Sequence, residues 1–135
     1  MDEGISENIA TGVDFLDIHK VYVIFQQYFR KKRMLWFEEH FEVSDATKIL
    51  DVGGDQYNWK FLSRKPEIKV INIVKADNWD EKLANFRFET GDGTNINYPD
   101  KAFDIVYSNS VIEHLGNWTN QKLFAKEVLR VGMSV

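Results

Sequence analysis

The sequence predicts an α/β fold built around a largely parallel sheet. Two observations indicate this class. Short runs rich in β-branched and aromatic residues alternate with segments of helical spacing, and glycine-containing turns follow the first and third of these runs. Strands joined by helical crossovers lie side by side in one parallel sheet. With 135 residues, the chain has the size of a single domain.

The chain before the first strand divides into two segments. Residues 1–12 are polar and contain glycine, so we expect a flexible N-terminus. Apolar side chains recur at intervals of three and four residues over 13–40, which predicts a long N-terminal helix. A basic run, residues 30–33, falls inside this helix. We interpret it as a solvated helix face, with a phosphate-binding patch as the alternative.

The predicted core covers residues 48–131 of a domain that extends over 13–135. Apolar, β-branched segments bounded by turn signals predict four strands, at 48–52, 69–74, 86–90 and 103–107. Between the strands we expect a short helix over 57–64, a helical turn over 77–83 and an amphipathic helix over 119–131.

The composition excludes several classes of function. The chain has no cysteine, and its three histidines lie far apart in sequence, so thiolate and zinc-finger-like metal sites are excluded. A net charge of −4 argues against a nucleic-acid partner. No apolar run is long enough to span a membrane, and the first residues lack the pattern of a signal peptide. We therefore expect a cytoplasmic protein with no membrane partner.

Three loops that follow strands carry candidate ligand-binding residues. Asp51, Gly53 and Gly54 open the turn after the first strand, where glycine lets backbone approach a ligand, although an ordinary strand–helix turn explains them equally well. Asn72 stands where dinucleotide sites often have an acid; a strand residue facing the next layer is the alternative. The segment 91–93, Gly-Asp-Gly, can meet an adenine amine or simply form a turn.

A fourth candidate region, residues 108–115, follows the last predicted strand. It would lie in the crevice at the carboxyl ends of neighbouring strands, where ligands bind in open α/β sheets. Glu113 and His114 could form a general acid–base pair there, since histidine titrates near neutrality. We favour the simpler interpretation of a charge at a helix start beside a packing imidazole.

In combination, these segments resemble the class I S-adenosylmethionine-dependent methyltransferases. Residues 49–54 resemble the first motif of that family, 91–93 its adenine site, 98–115 the block around its fourth strand, and 127–131 the helix end before its fifth strand. The resemblance implies a Rossmann-like fold, S-adenosylmethionine as cofactor, and methyl transfer to an unidentified acceptor, which we expect to be a small molecule.

The resemblance also implies roles for individual residues. The implied cofactor-binding residues all follow predicted strands: Asp51, Gly53, Gly54, Asn72, Asp92, Gly93 and Asn109. The first three would contact the methionine part, Asn72 would face the ribose, and Asp92 with Gly93 would hold the adenine. Asn109 would line the methyl-transfer site. No catalytic residue is assigned, but His114 or Glu113 would serve if the acceptor needs a base.

Three features depart from the family pattern. Asp55 stands where the family usually has a third glycine, and Asn72 replaces the usual acid. The sequence ends at Val135, where the fifth of usually seven strands would begin. We therefore expect a C-terminally truncated sheet of about four strands. Its fourth strand would be an exposed apolar edge, and such edges favour pairing with another chain or aggregation. We therefore expect a homodimer through this edge, a rearranged terminus or poor solubility.

These departures leave a second function open. A truncated, catalytically inactive methyltransferase-like module that acts in protein association is the alternative to an enzyme. A nicotinamide-dependent dehydrogenase is disfavoured, because the first strand is not followed by Gly-x-Gly-x-x-Gly.

Overall fold

The computed structural model describes residues 15–134; the segment predicted to be flexible, 1–12, lies outside them. Within the described residues, five parallel strands form one sheet in the order β3-β2-β1-β4-β5. The strands are β1 Lys48–Val52, β2 Glu67–Asn72, β3 Phe86–Thr90, β4 Phe103–Tyr107 and β5 Gly132–Ser134. The α/β class and the parallel sheet predicted from the sequence are confirmed. The expected number of strands, about four, is too low by one.

In the described part of the chain, two α-helices accompany the sheet, α1 Phe15–His40 and α2 Trp118–Val131. The Asn117 side chain caps α2 by accepting a hydrogen bond from the Asn120 amide at 2.8 Å, which satisfies a free donor of the first turn. No helix among residues 15–134 is both long enough and apolar enough to cross a bilayer.

Three predicted elements differ from those in the structure. The segment 57–64 forms only a 3₁₀ turn, Asn58–Phe61, and 77–83 contains turns without a helix. The Gln56 side chain binds both the carbonyl and the amide of Asp80, at 3.0 and 2.8 Å, and so fixes that loop in a non-helical path. The second strand begins and ends two residues earlier than predicted because its register pairs Lys48 with Glu67.

Both faces of the sheet are covered, which explains why its strands are almost continuously apolar. One face packs against the end of α1; its buried side chains are Met34, Phe37, Ile49, Ile68, Val70 and Ile105. The other face packs against α2 through Leu50, Val52, Ile71, Val106, Phe124 and Val128. Because the two clusters lie on opposite sides of β1, the loop that follows β1 is supported from both.

The predicted exposed edge at β4 is wrong. Strand β5 pairs with β4, with Phe103 opposite Gly132 and Ile105 opposite Ser134. The chain passes from the end of α2 directly into β5, so very few residues are needed to build it. A side chain at Gly132 would meet the Val106 side chain at 2.7 Å, so glycine permits this close return. The homodimer expected to form through an exposed β4 edge therefore no longer has a structural reason.

A buried carboxylate fastens α1 to the domain. Glu38 is 8% exposed and accepts hydrogen bonds from the Ser63 amide at 2.8 Å, the Arg64 amide at 3.0 Å and the Ser63 hydroxyl. Burial alone would raise the pKa of Glu38, but these bonds outweigh it and hold the pKa below its usual value of 4.5. The charged form is therefore the one that stabilises the fold.

We expect the Glu38→Ala substitution to lower the free energy of unfolding by about 1–3 kcal/mol, because it removes the charged acceptor of three hydrogen bonds, two from amides and one from a hydroxyl. Urea denaturation at pH 7 measures the loss. It should shrink as the pH falls through the lowered pKa of Glu38, since protonation removes the same contribution from the unsubstituted chain.

The matched control is Glu39→Ala, which removes an exposed carboxylate from the neighbouring position. Its effect should stay within about 0.5 kcal/mol. Equal losses for the two variants would contradict the role given to Glu38.

Candidate functional site

A polar cavity of about 450 Å³ opens at the carboxyl ends of β1, β2 and β4. Strand β1 pairs with β2 on one side and β4 on the other, so the crossover direction reverses here, as at the ligand sites of open α/β sheets. Five of the seven predicted cofactor-binding residues line this polar cavity: Asp51, Gly53, Gly54, Asn72 and Asn109.

Asp51 is the most unusual residue of the cavity wall. Its side chain is 1% exposed. Oδ2 accepts a hydrogen bond from the Trp59 indole at 2.7 Å, while Oδ1 has no hydrogen-bond partner among the described residues. Burial raises the pKa of Asp51 to about 7; the Trp59 bond opposes this rise and the charge of Asp55 adds to it. A buried oxygen without a partner beside a cavity indicates a place for a ligand donor.

Two glycines form the loop after β1, here called the glycine loop, and neither tolerates a side chain. Gly53 has a φ of +81°, and a Cβ there would lie 2.4 Å from the Val111 side chain. At Gly54 a Cβ would lie 2.0 Å from Oδ2 of Asp51. The backbone at the cavity wall is thus held against the buried carboxylate, and only glycine fits between them.

Asp55, which stands where the family usually has glycine, does not need a glycine conformation. Among the described residues other than glycine, φ is positive only at Glu42, Lys101 and Ser110. The Asp55 side chain accepts a hydrogen bond from the Tyr57 amide at 2.8 Å and stabilises the turn into the 3₁₀ helix. The departure is therefore compatible with the path of this loop.

Asn72 connects the end of β2 to the glycine loop. Its side-chain amide donates to the Gly54 carbonyl at 3.1 Å, and its Oδ1 accepts from the Ile73 amide at 2.7 Å. This side chain therefore positions the loop, and Asn72 also lines the polar cavity. Asp77, which follows β2, lines the same cavity and was not among the residues singled out from the sequence.

Helix α1 contributes one charge to the polar cavity. Arg30 lines it, and its guanidinium carbon lies 5.1 Å from the centre of the Tyr57 ring, within cation–π range. The next three residues of the basic run are exposed, as the interpretation of a solvated face requires. The sequence singled out Arg30 only as a member of that basic run. Its place at the cavity depends on a contact between α1 and the loop after β1, which lie far apart in the sequence.

Asp92 and Gly93 lie outside the residues that line the polar cavity. Oδ1 of Asp92 accepts hydrogen bonds from the amide and the hydroxyl of Thr94, both at 2.8 Å. A Cβ at Gly93 would meet the Phe124 ring at 2.6 Å and Val52 at 2.8 Å. The turn is therefore packed against the end of β1, and its proposed adenine contact remains a prediction.

The predicted acid–base pair is on the surface. The Glu113 and His114 side chains are both exposed, and Nε2 of His114 lies 3.8 Å from Oε1 of Glu113. Neither residue lines the polar cavity or the apolar cavity described next. The geometry gives these two residues no defined partner for catalysis.

An apolar cavity of about 570 Å³ lies next to the polar one, between α1, the end of β4 and α2. Most of its wall is aromatic or aliphatic: Phe37, Phe41, Val106, Val111, Ile112, Phe124, Val128 and Leu129. Tyr107 lines both cavities. Its ring packs edge-on against Trp59 at 5.0 Å and Phe37 at 5.6 Å, and burial raises the pKa of its hydroxyl.

The segment after β4 is held against β1. The Ser108 hydroxyl donates to the Val52 carbonyl at 3.0 Å, and Ser110, with a φ of +59°, lies in the apolar cavity wall. A non-glycine residue in this conformation is strained, and such strain is concentrated at functional sites. No group of three potential metal ligands occurs within residues 15–134.

Comparisons with known proteins agree with this arrangement. The family model described as a methyltransferase domain matches residues 55–133. A search of curated proteins found no match. Among solved structures, the 1,6-didemethyltoxoflavin-N1-methyltransferase of Burkholderia thailandensis, with bound 1,6-didemethyltoxoflavin and S-adenosylhomocysteine, has a TM-score of 0.62 at 13% identity. The alignment covers 84% of this chain and 52% of that one.

Two further structures are similar. The YcgJ protein of Bacillus subtilis has a TM-score of 0.57 at 20% identity, over 77% of this chain and 46% of its own. A SAM-dependent methyltransferase from Methanosarcina mazei has a TM-score of 0.54 at 17% identity, over 68% of this chain and 50% of its own. The chain therefore spans about half the length of these structures, and at such identities their likeness shows the fold.

The family match itself is more specific. It starts directly after the glycine loop, includes β2 to β4 and α2, and extends over more than half of the 135 residues. The resemblance predicted from the sequence motifs is confirmed: the chain belongs to the methyltransferase domain family.

Proposed function

We propose that this protein binds S-adenosylmethionine in the polar cavity and promotes transfer of its methyl group to a small acceptor. The observation that carries the proposal is the unpartnered Oδ1 of Asp51, buried beside that cavity where β1 and β4 meet. When bound, the cofactor supplies a methyl group on a sulfonium, which is a good leaving group. The chain spans only part of its structural relatives, so activity is a proposal for this sequence.

The charges of the polar cavity fit the methionine part of the cofactor, which has an ammonium and a carboxylate. Asp51 would accept from the ammonium, which would give its free oxygen a partner. Arg30 is the opposite charge that α1 brings to the same cavity, and it would pair with the carboxylate. The glycine loop allows the ligand to approach the backbone between these two groups.

The rest of the cofactor would extend past β2. Asn72 would present its second amide hydrogen to the ribose, and Asp77 would supply the carboxylate that position 72 lacks. Asp92 and Gly93 stay the proposed adenine contacts, which requires the nucleoside to reach the turn after β3.

The acceptor would occupy the apolar cavity. Tyr107 separates the two cavities, so a ligand in one lies next to a ligand in the other. An aromatic and aliphatic wall favours a small, largely apolar acceptor and excludes water from the reacting groups. Methyl transfer depends chiefly on proximity and orientation, which Asn109 at the rim would help to set. Glu113 and His114 remain candidates only for an acceptor that reaches the surface.

The alternative is a methyltransferase-like module that does not catalyse and acts in protein association. Isothermal titration with S-adenosylmethionine and with S-adenosylhomocysteine separates the two functions. Saturable binding at micromolar ligand supports the enzyme; no heat at high micromolar ligand would exclude it. Transfer of a labelled methyl group to apolar small acceptors, compared with charged ones, then tests the proposed acceptor class.

We expect Asp51→Asn to weaken S-adenosylhomocysteine binding by about 10- to 100-fold, the effect of losing one charge-assisted hydrogen bond. Titration calorimetry measures the change. Glu67→Gln removes an exposed carboxylate at the start of β2 and is the matched control. A similar affinity for both variants would contradict the assignment of Asp51.

Cofactor affinity should rise with pH through about 7, because the pKa of Asp51 is about 7 in the ligand-free protein and the carboxylate binds the ammonium. The stability of the ligand-free protein should have the opposite dependence on pH. The folded pKa lies above the usual 3.8, so the free energy of unfolding falls as the pH rises from about 4 to 7. Asp51→Asn should flatten both profiles, and an affinity independent of pH between 6 and 8 in the unsubstituted chain would count against the mechanism.

Gly54→Ala should abolish measurable binding, because a Cβ placed 2.0 Å from Oδ2 forces the Asp51 carboxylate out of position. We expect a stability loss of about 1–3 kcal/mol, typical of overpacking. Gly116→Ala is the control: its Cβ has no heavy atom within 4 Å, although its φ of +80° adds strain. That variant should lose some stability and keep its affinity.

A further inference from the structure

Most of α1 projects an apolar surface that the domain does not cover. Between Ile18 and Trp36, nine large apolar side chains are each 41–64% exposed: Ile18, Val21, Tyr22, Ile24, Phe25, Tyr28, Phe29, Leu35 and Trp36. The side chains of α1 that are buried among the described residues, Met34, Phe37 and Glu38, all belong to its last two turns. Contiguous apolar surface of this extent marks an interaction site.

Most of these side chains form a continuous stripe along one side of α1. A row formed by Ile18, Tyr22, Phe25, Phe29, Lys32 and Trp36, here called the α1 seam, advances by alternating steps of four and three residues and covers 18 residues in about five turns. Val21, Tyr28 and Leu35 recur every seven residues beside it. A straight apolar stripe of this kind is a surface along which a second helix can pack.

The charges favour one orientation of that partner. Residues 18–37 contain five basic residues, four of them at 30–33, and no acid. A parallel copy would place the two basic runs side by side. In an antiparallel pair with residue 19 opposite residue 33, the basic run of each helix would lie beside residues 19–22 of the other, so the two runs would be at opposite ends. Repulsion between like charges therefore selects the antiparallel pair.

The exposed apolar area of α1 is also large enough for a stable dimer interface. The nine side chains together expose on the order of 900 Å² of accessible surface, since each aromatic offers roughly 100 Å² or more at these exposures. A stable interface buries about 800 Å² from each partner. Arg30 and Met34, which contact the domain, lie outside the α1 seam, so pairing would leave the polar cavity open.

We propose that α1 pairs antiparallel with α1 of a second copy of this chain through the α1 seam. Analytical ultracentrifugation of the full chain should then give the mass of two chains at micromolar concentration. The double variant Phe25→Glu/Phe29→Glu places charges at the centre of the seam and should sediment as one chain with an unchanged circular dichroism spectrum. Trp118→Glu, an equally exposed aromatic at the start of α2, is the control and should remain a dimer.

Cysteine pairs test the orientation, because the chain has no cysteine of its own. His19 and Arg33 both follow the seam by one position and are fourteen residues apart, roughly 21 Å along a helix. An antiparallel pair brings His19→Cys of one chain next to Arg33→Cys of the other. A mixture of the two variants should therefore form a mixed disulfide on oxidation, while each variant alone should not cross-link.

Three outcomes would overturn the proposal. One is a chain that sediments as a monomer at every concentration tested, including a monomer that binds vesicles of anionic phospholipid through α1. Another is a dimer that persists in Phe25→Glu/Phe29→Glu, which would place the interface elsewhere. The third is self-cross-linking of His19→Cys or Arg33→Cys alone without a mixed disulfide, which indicates a parallel pair.

Discussion

The buried carboxylate of Asp51 connects the hydrophobic core of the domain to its candidate site. Among the described residues its hydrogen bond comes from Trp59, whose ring also packs against Phe37 of α1 and Tyr107 at the end of β4. The position of the carboxylate therefore depends on three elements that are distant in sequence. Gly54 has to be glycine because the carboxylate occupies the space of its side chain. Loss of this packing would move the charge that the cavity presents to a ligand.

The loops around this carboxylate are held by polar contacts at both ends of the sheet. Ser108 ties the end of β4 to the end of β1, and Asp104 accepts from the Lys48 amide at 2.8 Å at their other ends. Arg130 of α2 donates to the Ile96 carbonyl at 2.8 Å and pairs with Glu127, which in turn accepts from the Ile96 amide at 2.8 Å. The loop between β3 and β4 is thus bound to α2, the helix that follows β4.

The sequence correctly predicted those strands whose pattern is contained in a short run of residues. The strands 48–52, 86–90 and 103–107 were predicted with their observed bounds, because apolar β-branched runs between turn residues have few alternatives. The segment 77–83 contains turns where a helical turn was predicted, and β5 was not part of the expected sheet of about four strands. Both errors have the same cause: Gln56 and Gly132 act through contacts with residues on other elements, which no short sequence window contains.

The sequence by itself determined the family, the order of its motifs and the candidate residues at the ends of the strands, since glycine turns and acidic strand ends are encoded one segment at a time. Only the tertiary structure decided which of these residues share a cavity. It brought Arg30 and Asp77 to the polar cavity and left Asp92 outside its lining, and it moved Glu113 and His114 to the surface. It also decided the protonation of Asp51, because a pKa near 7 arises from burial, and burial exists only once the chain has folded around the carboxylate.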